Sequence, residues 1–252
     1  MGTGRARRIF EIVVVVLGVG LGACRRATPG AGELPSILLF DGRGTSRDDV
    51  TAIERLLERE RLSYAKADSE QVDEMSELEL ASYRLLIVPG GNFEKLGNGL
   101  APSTPPRVRA AVEHGLGYLG VCAGAFWAGG SPYNGLNLTR GVRFPFYSLE
   151  NQGTRKASVP ISIAGADALE QYWEDGPALA GFGDVIAKYP DGTPAVVEAH
   201  VGQGWVILSG THPEAPDSWR EGLPFTTSGA SDQAYAVRLI RAALNREVLP
   251  HY

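Results

Sequence analysis

The sequence predicts a three-layer α/β/α domain with a mostly parallel central sheet and an antiparallel appendage, and three observations carry that prediction. Short continuous apolar runs, Ile37–Phe40, Leu85–Val88 and Tyr118–Val121, have the length and composition of buried strands. Stretches with helical spacing of apolar residues separate them, which is the order of a parallel sheet covered on both faces. After Ser131 the pattern changes to strands joined by short turns.

The elements follow in order. Ile37–Phe40 ends at Asp41-Gly42, and from Asp48 a helix places Val50, Ile53, Leu56 and Leu57 on one face. Ser63–Ala67 is expected as a second strand. Glu70–Leu80 is expected as a second helix with Val72, Met75 and Leu78 inward. Leu85–Val88 stops at Pro89-Gly90-Gly91, and a Pro- and Gly-rich loop follows. Thr104-Pro105-Pro106 then opens a helix running to His114 and closed by Gly115. Tyr118–Val121 delivers Cys122. Val159–Ile163, Val185–Tyr189, Ala195–Ala199 and Trp205–Ser209 are expected strands, the last three joined by turns at Asp191-Gly192 and Gly202-Gln203-Gly204. Ser231 is expected to cap a final helix carrying Val237, Ile240 and Leu244. Nothing between residues 36 and 246 reads as a linker, so one domain is expected there, with 247–252 as a tail.

The chain has 252 residues, 44% hydrophobic and 21% charged, which is ordinary for a globular domain. Its 32 glycines follow no period. Net charge is −5 and no basic patch stands out, which argues against nucleic-acid binding. No Cys/His cluster has metal spacing, and nothing in the sequence calls for a cofactor.

Residues 1–23 have the features of an export signal. Arg5, Arg7 and Arg8 precede an apolar run from Ile12 to Ala23, about a dozen residues against the ~20 needed to cross a bilayer. Leu21-Gly22-Ala23-Cys24 resembles a bacterial lipobox, which implies a lipid on Cys24 and a mature chain starting there. Residues 24–35 read as a flexible tether, so the membrane partner is expected through the Cys24 anchor alone. Arg25 and Arg26 after the cysteine favour the outer membrane in a Gram-negative host. The chain has two cysteines; with lipid on Cys24, Cys122 is a lone thiol in an oxidising compartment.

Three segments carry chemistry. Gly120-Val121-Cys122-Ala123-Gly124 lies between an apolar strand and a helix, the arrangement of a nucleophile elbow with sulfur in place of hydroxyl. Glycines two residues before and after leave room for the sharp turn, and the helix start aims free N–H groups at the sulfur, which favours the reactive thiolate. Gly210-Thr211-His212-Pro213-Glu214 follows the strand Trp205–Ser209. In an extended segment residues i and i+2 point the same way, so Glu214 can orient a His212 base. Pro89-Gly90-Gly91 ends a central strand, where Gly90 or Gly91 N–H with Ala123 N–H would form an oxyanion hole. Each alone also fits a bland reading: a buried cysteine at a tight turn, a solvated glutamate after a strand, or a glycine loop.

Together, Pro89-Gly90-Gly91, Tyr118-Leu119-Gly120-Val121-Cys122-Ala123-Gly124-Ala125-Phe126-Trp127-Ala128 and Gly204 through Glu214 resemble the class I glutamine amidotransferase-like superfamily. More narrowly they resemble the N-terminal domain of biotin–protein ligases and its stand-alone bacterial relatives. The resemblance spans about residues 36–246. It implies a flavodoxin-like fold, Cys122 as nucleophile, His212 as base and Glu214 as orienting carboxylate. Where glutamine-using members carry Gln after the Cys-x-Gly, this chain has Ala125-Phe126-Trp127. Two functional readings follow. One is a thiol-dependent amidase acting on a small amide or peptide in the cell envelope; the other is a lipoprotein scaffold that keeps the fold without the reaction.

Overall fold

The computed structural model describes residues 35–252 besides Met1. The expectations placed on residues 2–34 (the export segment, Cys24 and most of the tether) lie outside the described residues.

The first half alternates strand and helix. β1 (Ile37–Phe40), β2 (Tyr64–Ala67), β3 (Leu85–Val88) and β4 (Gly117–Val121) are joined by α1 (Arg47–Arg59), the short α2 (Ser69–Glu74) and α3 (Glu77–Ala81), and α4 (Phe93–Asn98) with α5 (Thr104–Glu113). After α6 (Ala123–Ala128) come β5 (Lys156–Ile163), β6 (Leu169–Glu174), β7 (Asp184–Lys188), β8 (Pro194–Val201) and β9 (Gly204–Ser209), then α7 (Asp217–Arg220) and α8 (Gly229–Asn245). One nine-stranded sheet holds them in the order β2-β1-β3-β4-β9-β8-β7-β5-β6. β2, β1, β3, β4 and β9 are mutually parallel. From β9 the sheet continues antiparallel through β8, β7, β5 and β6, which is the expected appendage.

The strand period of two divides the core into the expected layers. Ile37, Leu39, Leu85, Ile87, Leu119 and Ile207 pack under Val50, Ile53, Leu56 and Leu57 of α1 and Leu239 and Ile240 of α8. Leu38, Phe40, Leu86, Val88, Tyr118 and Leu208 face the other way, against Val72, Leu80, Val108, Val112 and the start of α6. Each such side chain contributes roughly 1.5–3 kcal/mol by leaving water.

Several local expectations need correction or completion. The helix expected over Glu70–Leu80 is two helices, because Ser76 and Glu79 form a capping box that starts a new one. The restart turns the apolar face: Leu78 is 83% exposed, and Leu80 is buried instead. The loop after Gly91 contains α4, and β6 is an additional strand. α8 begins at Gly229 with Ser228 as its cap, so Ser231 lies in the first turn. The tail is docked on the sheet: Leu249 is buried and donates its N–H to Glu198 Oε1 at 2.9 Å, and Tyr252 N–H reaches Val185 O at 3.0 Å.

Candidate active site

β4 is buried along its length, and Cys122 follows it directly with its N–H bonded to Ser209 O of β9 at 2.8 Å. The backbone there has φ +47° and ψ −101°, a conformation that costs a non-glycine residue about 1–3 kcal/mol. The flanking glycines permit it. A Cβ on Gly124 would lie 2.1 Å from Val88 O, and one on Gly120 would lie 2.7 Å from the Gly124 carbonyl. Cys122 is thus held at a sharp turn at the carboxyl edge of the sheet. Its Sγ donates to Glu174 O at 3.5 Å.

β9 ends at Ser209 and the chain turns so that His212 N–H bonds Tyr172 O of β6 at 2.8 Å. The imidazole lies against the rings of Tyr172 and Trp219, with centroids 5.8 and 5.9 Å away. Its Nδ1 meets Glu214 Oε1 at 2.9 Å, the expected pairing across Pro213. A second carboxylate is equally near: Asp49 Oδ1, from the first turn of α1, lies 3.0 Å from the same nitrogen. One N–H satisfies one acceptor, and Glu214 has the better alignment; Asp49 Oδ1 is left in charge contact without a hydrogen bond. His212 Nε2 is buried and makes no hydrogen bond among the described residues, so the imidazole and the thiol are not hydrogen-bonded to each other here.

The electrostatics follow from this burial. Desolvation works against a charged imidazole, but the negative charge of Cys122, then of Glu214 and Asp49, outweighs it and holds the His212 pKa well above the ordinary histidine range. The two carboxylates move apart. Burial raises the carboxyl of Glu214 despite the pull of His212. Burial also opposes ionisation of Asp49, yet the charge of His212, 3.0 Å away, outweighs it and lowers its pKa. Asp49, His212 and Glu214 offer ligand atoms within 4.8 Å of one another, close enough to bracket a cation. With Nδ1 at hydrogen-bond distance from both carboxylates, the space between them suits a proton.

Two adjoining cavities open on the sulfur. One, of about 290 Å³, is lined by Ser46, Asp49, Gly91, Cys122, Glu174, Asp175 and His212. The other, of about 210 Å³, shares Gly91, Cys122 and Asp175 and adds Phe93, Phe126, Phe146, Glu94 and Arg155. Phe93, Phe126 and Phe146 form a mutually packed apolar wall. A larger cavity of about 680 Å³ lies between Asp41–Arg43 and Asp68–Glu74, and neither Cys122 nor His212 lines it. Two of its acids are already engaged, Asp68 as the cap of α2 and Asp73 on Ala101 N–H and Thr104 Oγ1.

Gly91 borders both site cavities, on the same sheet edge as Cys122. The N–H groups of Gly91 and Ala123 carry no hydrogen bond to another described residue. Gly91 has φ +139°, and a Cβ there would lie 2.1 Å from Gly44 O. Gly90 packs beneath the imidazole, where a Cβ would meet Asp49 Oδ1 at 2.1 Å and His212 Cε1 at 2.6 Å.

Comparison with known proteins agrees with this fold. Residues 35–132 match the family described as the N-terminal domain of biotin–protein ligase. A biotin–protein ligase of Schizosaccharomyces pombe is 24% identical over 163 residues, 53% of this chain. The chain spans about a quarter of that relative's length, 26%. An exo-β-1,4-mannosidase from an Opitutaceae bacterium shares the fold at TM-score 0.51 and 15% identity, over 82% of this chain and 36% of its own. A candidate GMP synthase component from Thermoplasma acidophilum shares it at TM-score 0.53 and 13% identity, over 84% and 96%. Residues 35–132 are thus similar to the N-terminal domain of biotin–protein ligases, and the described domain shares its fold with these solved structures.

Within this amidotransferase-like domain the structure brings together Cys122, His212, Glu214, Gly90, Gly91 and Ala123. It adds Asp49, Tyr172, Glu174 and Asp175, which the sequence did not single out, and it sets Trp219 against the imidazole. Asp49 was hidden because Ser46-Arg47-Asp48-Asp49 has the composition of any helix start. Glu174 and Asp175 close a strand whose pattern was not distinct. In the segment after α6, Phe146 lines a cavity, whereas Asn134 is tied by its side chain to the carbonyls of Gly97 and Leu100.

Proposed function

We propose that this domain is a thiol-dependent amidase or amide-transfer hydrolase acting on a small amide or peptide, with Cys122 as nucleophile and His212 as its proton partner. The observation that carries the reading is the strained Cys122 backbone at φ +47°, at a cavity shared with the buried His212, whose pKa is held well above the ordinary histidine range. In the reaction Sγ forms a bond to the amide carbonyl carbon, and the oxyanion is received by Gly91 and Ala123 N–H. His212 Nε2 gives its proton to the amine as the C–N bond breaks. Water then adds to the thioester, returning the thiol and releasing a carboxylic acid. The apolar wall of Phe93, Phe126 and Phe146 favours a substrate with an apolar group next to the amide.

The test is alkylation of Cys122 by iodoacetamide, mapped by mass spectrometry, with hydrolysis of an amide panel alongside. Alkylation near pH 6 is expected to exceed that of a model thiol, and His212→Ala is expected to slow it by about tenfold or more. A Cys122 that stays unreactive and indifferent to His212→Ala overturns the reading. The scaffold reading would then stand, supported by the resting bond from Sγ to Glu174 O and by Ala125-Phe126-Trp127 in place of a glutamine-recognising segment.

For the whole chain the proposal includes export and a lipid on Cys24, with the domain held at the outer membrane where the host is Gram-negative. Leu21-Gly22-Ala23-Cys24 after a short apolar run supports it. Cys24→Ser is expected to abolish incorporation of labelled fatty acid, and a wild type that incorporates none overturns the anchor.

A further inference from the structure

We propose that Asp49, not Glu214, is the ionised positioning carboxylate of His212, and that Glu214 holds the one proton the two carboxylates share. The proposal rests on the reading of Cys122 and His212 as a reacting pair and deepens it.

The surroundings of the two carboxylates differ in kind. Asp49 sits in the first turn of the thirteen-residue α1, where the helix dipole favours negative charge, and its own N–H is taken by Ser46 Oγ at 3.3 Å. Its carboxylate borders the cavity that contains Cys122. Glu214 is 3% exposed, and its second oxygen has no partner among the described residues. It faces a small apolar space walled by Ile53, Ile87, Leu119, Val121, Leu239 and Ile240. A carboxylate in such surroundings is costly, whereas a neutral carboxyl costs far less.

Charge balance points the same way. With both carboxylates ionised beside an imidazolium, the buried trio carries a net −1; one proton on Glu214 makes it neutral. The other groups facing the imidazole are Cys122 from the start of α6 and Tyr172 from β6, whose hydroxyl donates to Glu174 Oε2 at 2.6 Å. Neither supplies a cation to relieve a second carboxylate. The opposite shifts of Asp49 and Glu214 agree with this division.

One consequence is mechanistic. When the imidazole has given its proton to the departing amine, it takes one from the water that adds to the thioester, and the charge of Asp49 favours that transfer. Glu214 acts mainly by fixing the ring through Nδ1.

The first experiment uses the wild-type chain with carbon-13-labelled carboxyl groups, followed by NMR from pH 3 to 9. The Glu214 signal is expected to take up its proton at higher pH than Asp49, and the reverse order overturns the proposal. The second follows the His212 ring titration and the pH profile of iodoacetamide alkylation in Asp49→Asn, Asp49→Glu and Glu214→Gln. Asp49→Asn is expected to lower the His212 titration and slow alkylation at pH 6 by about tenfold, Asp49→Glu to restore part of it, and Glu214→Gln to stay within about twofold. An equal or larger effect of Glu214→Gln overturns the division of roles. If Cys122 fails to alkylate even in wild type, the amidase reading falls, while the carboxyl titration still decides between Asp49 and Glu214.

Discussion

The parallel and antiparallel halves of the sheet meet at β9 and hold their site residues by different means. In the parallel half, Cys122, Gly90 and Gly91 each follow a strand buried on both faces, and backbone presses on backbone. Gly124 abuts Val88 O, and Gly91 abuts Gly44 O. In the antiparallel half, turns such as Asp191-Gly192 are open, and Glu174 and Asp175 reach the cavity from the end of a strand. Asp175 has φ +45° and its carboxylate is paired with the exposed Arg155 at 3.1 Å. At these positions the parallel half sets its residues through steric exclusion and the acidic cavity wall is set through polar contacts that solvent can replace, while backbone also meets backbone where Gly176 abuts Gly210 O. Rigid support falls on Cys122 and adaptable support on the cavity wall, which suits the proposed division into fixed chemistry and an adjustable substrate face.

The comparison can be broken by substitution. The largest effect is expected at Cys122 itself: Cys122→Ser should remove alkylation at this site and lower any amide hydrolysis by about a thousandfold or more, measured by mass spectrometry and turnover. Next, Gly124→Ala should destabilise the domain by about 3 kcal/mol in urea titration, because backbone atoms of Val88 cannot yield. A loss below about 1 kcal/mol would show the elbow to be softer than its contacts indicate.

Glu198 tests buried charge in the antiparallel half. It is fully buried in β8, accepts one hydrogen bond from Leu249 N–H, and burial raises its carboxyl pKa. A carboxyl whose folded pKa is raised stabilises the fold below its unfolded pKa, and that contribution is lost as pH rises through the folded value. Glu198→Gln should therefore gain on wild type from pH 4 to pH 8, by about 1 kcal/mol, in thermal melts. The smallest effect is expected at Gly192→Ala. Nothing lies within 4 Å of the added methyl, so only the φ of +87° opposes it, at a cost of about 1 kcal/mol or less. If Gly192→Ala proved as damaging as Gly124→Ala, the distinction between the two halves would fail.

The sequence by itself determined the strands of the parallel half, because residues buried on both faces leave an unbroken apolar run such as Leu85–Val88. It also pointed to Cys122, His212 and Glu214 as candidates, since each follows such a run within a short motif that ends at the sheet edge. It did not determine where Glu70–Leu80 breaks, because the Ser76–Glu79 capping box competes with a continuous helix of similar composition. Nor did it reveal β6 or α4, whose mixed patterns become definite only against their neighbours. The second carboxylate was decided by tertiary structure alone. Asp49 is 163 residues from His212, and its composition is that of any helix start. Only the packing of α1 over the β3 and β9 edge brings its charge to the imidazole, because a contact between distant segments depends on where helices land and not on either segment's own pattern.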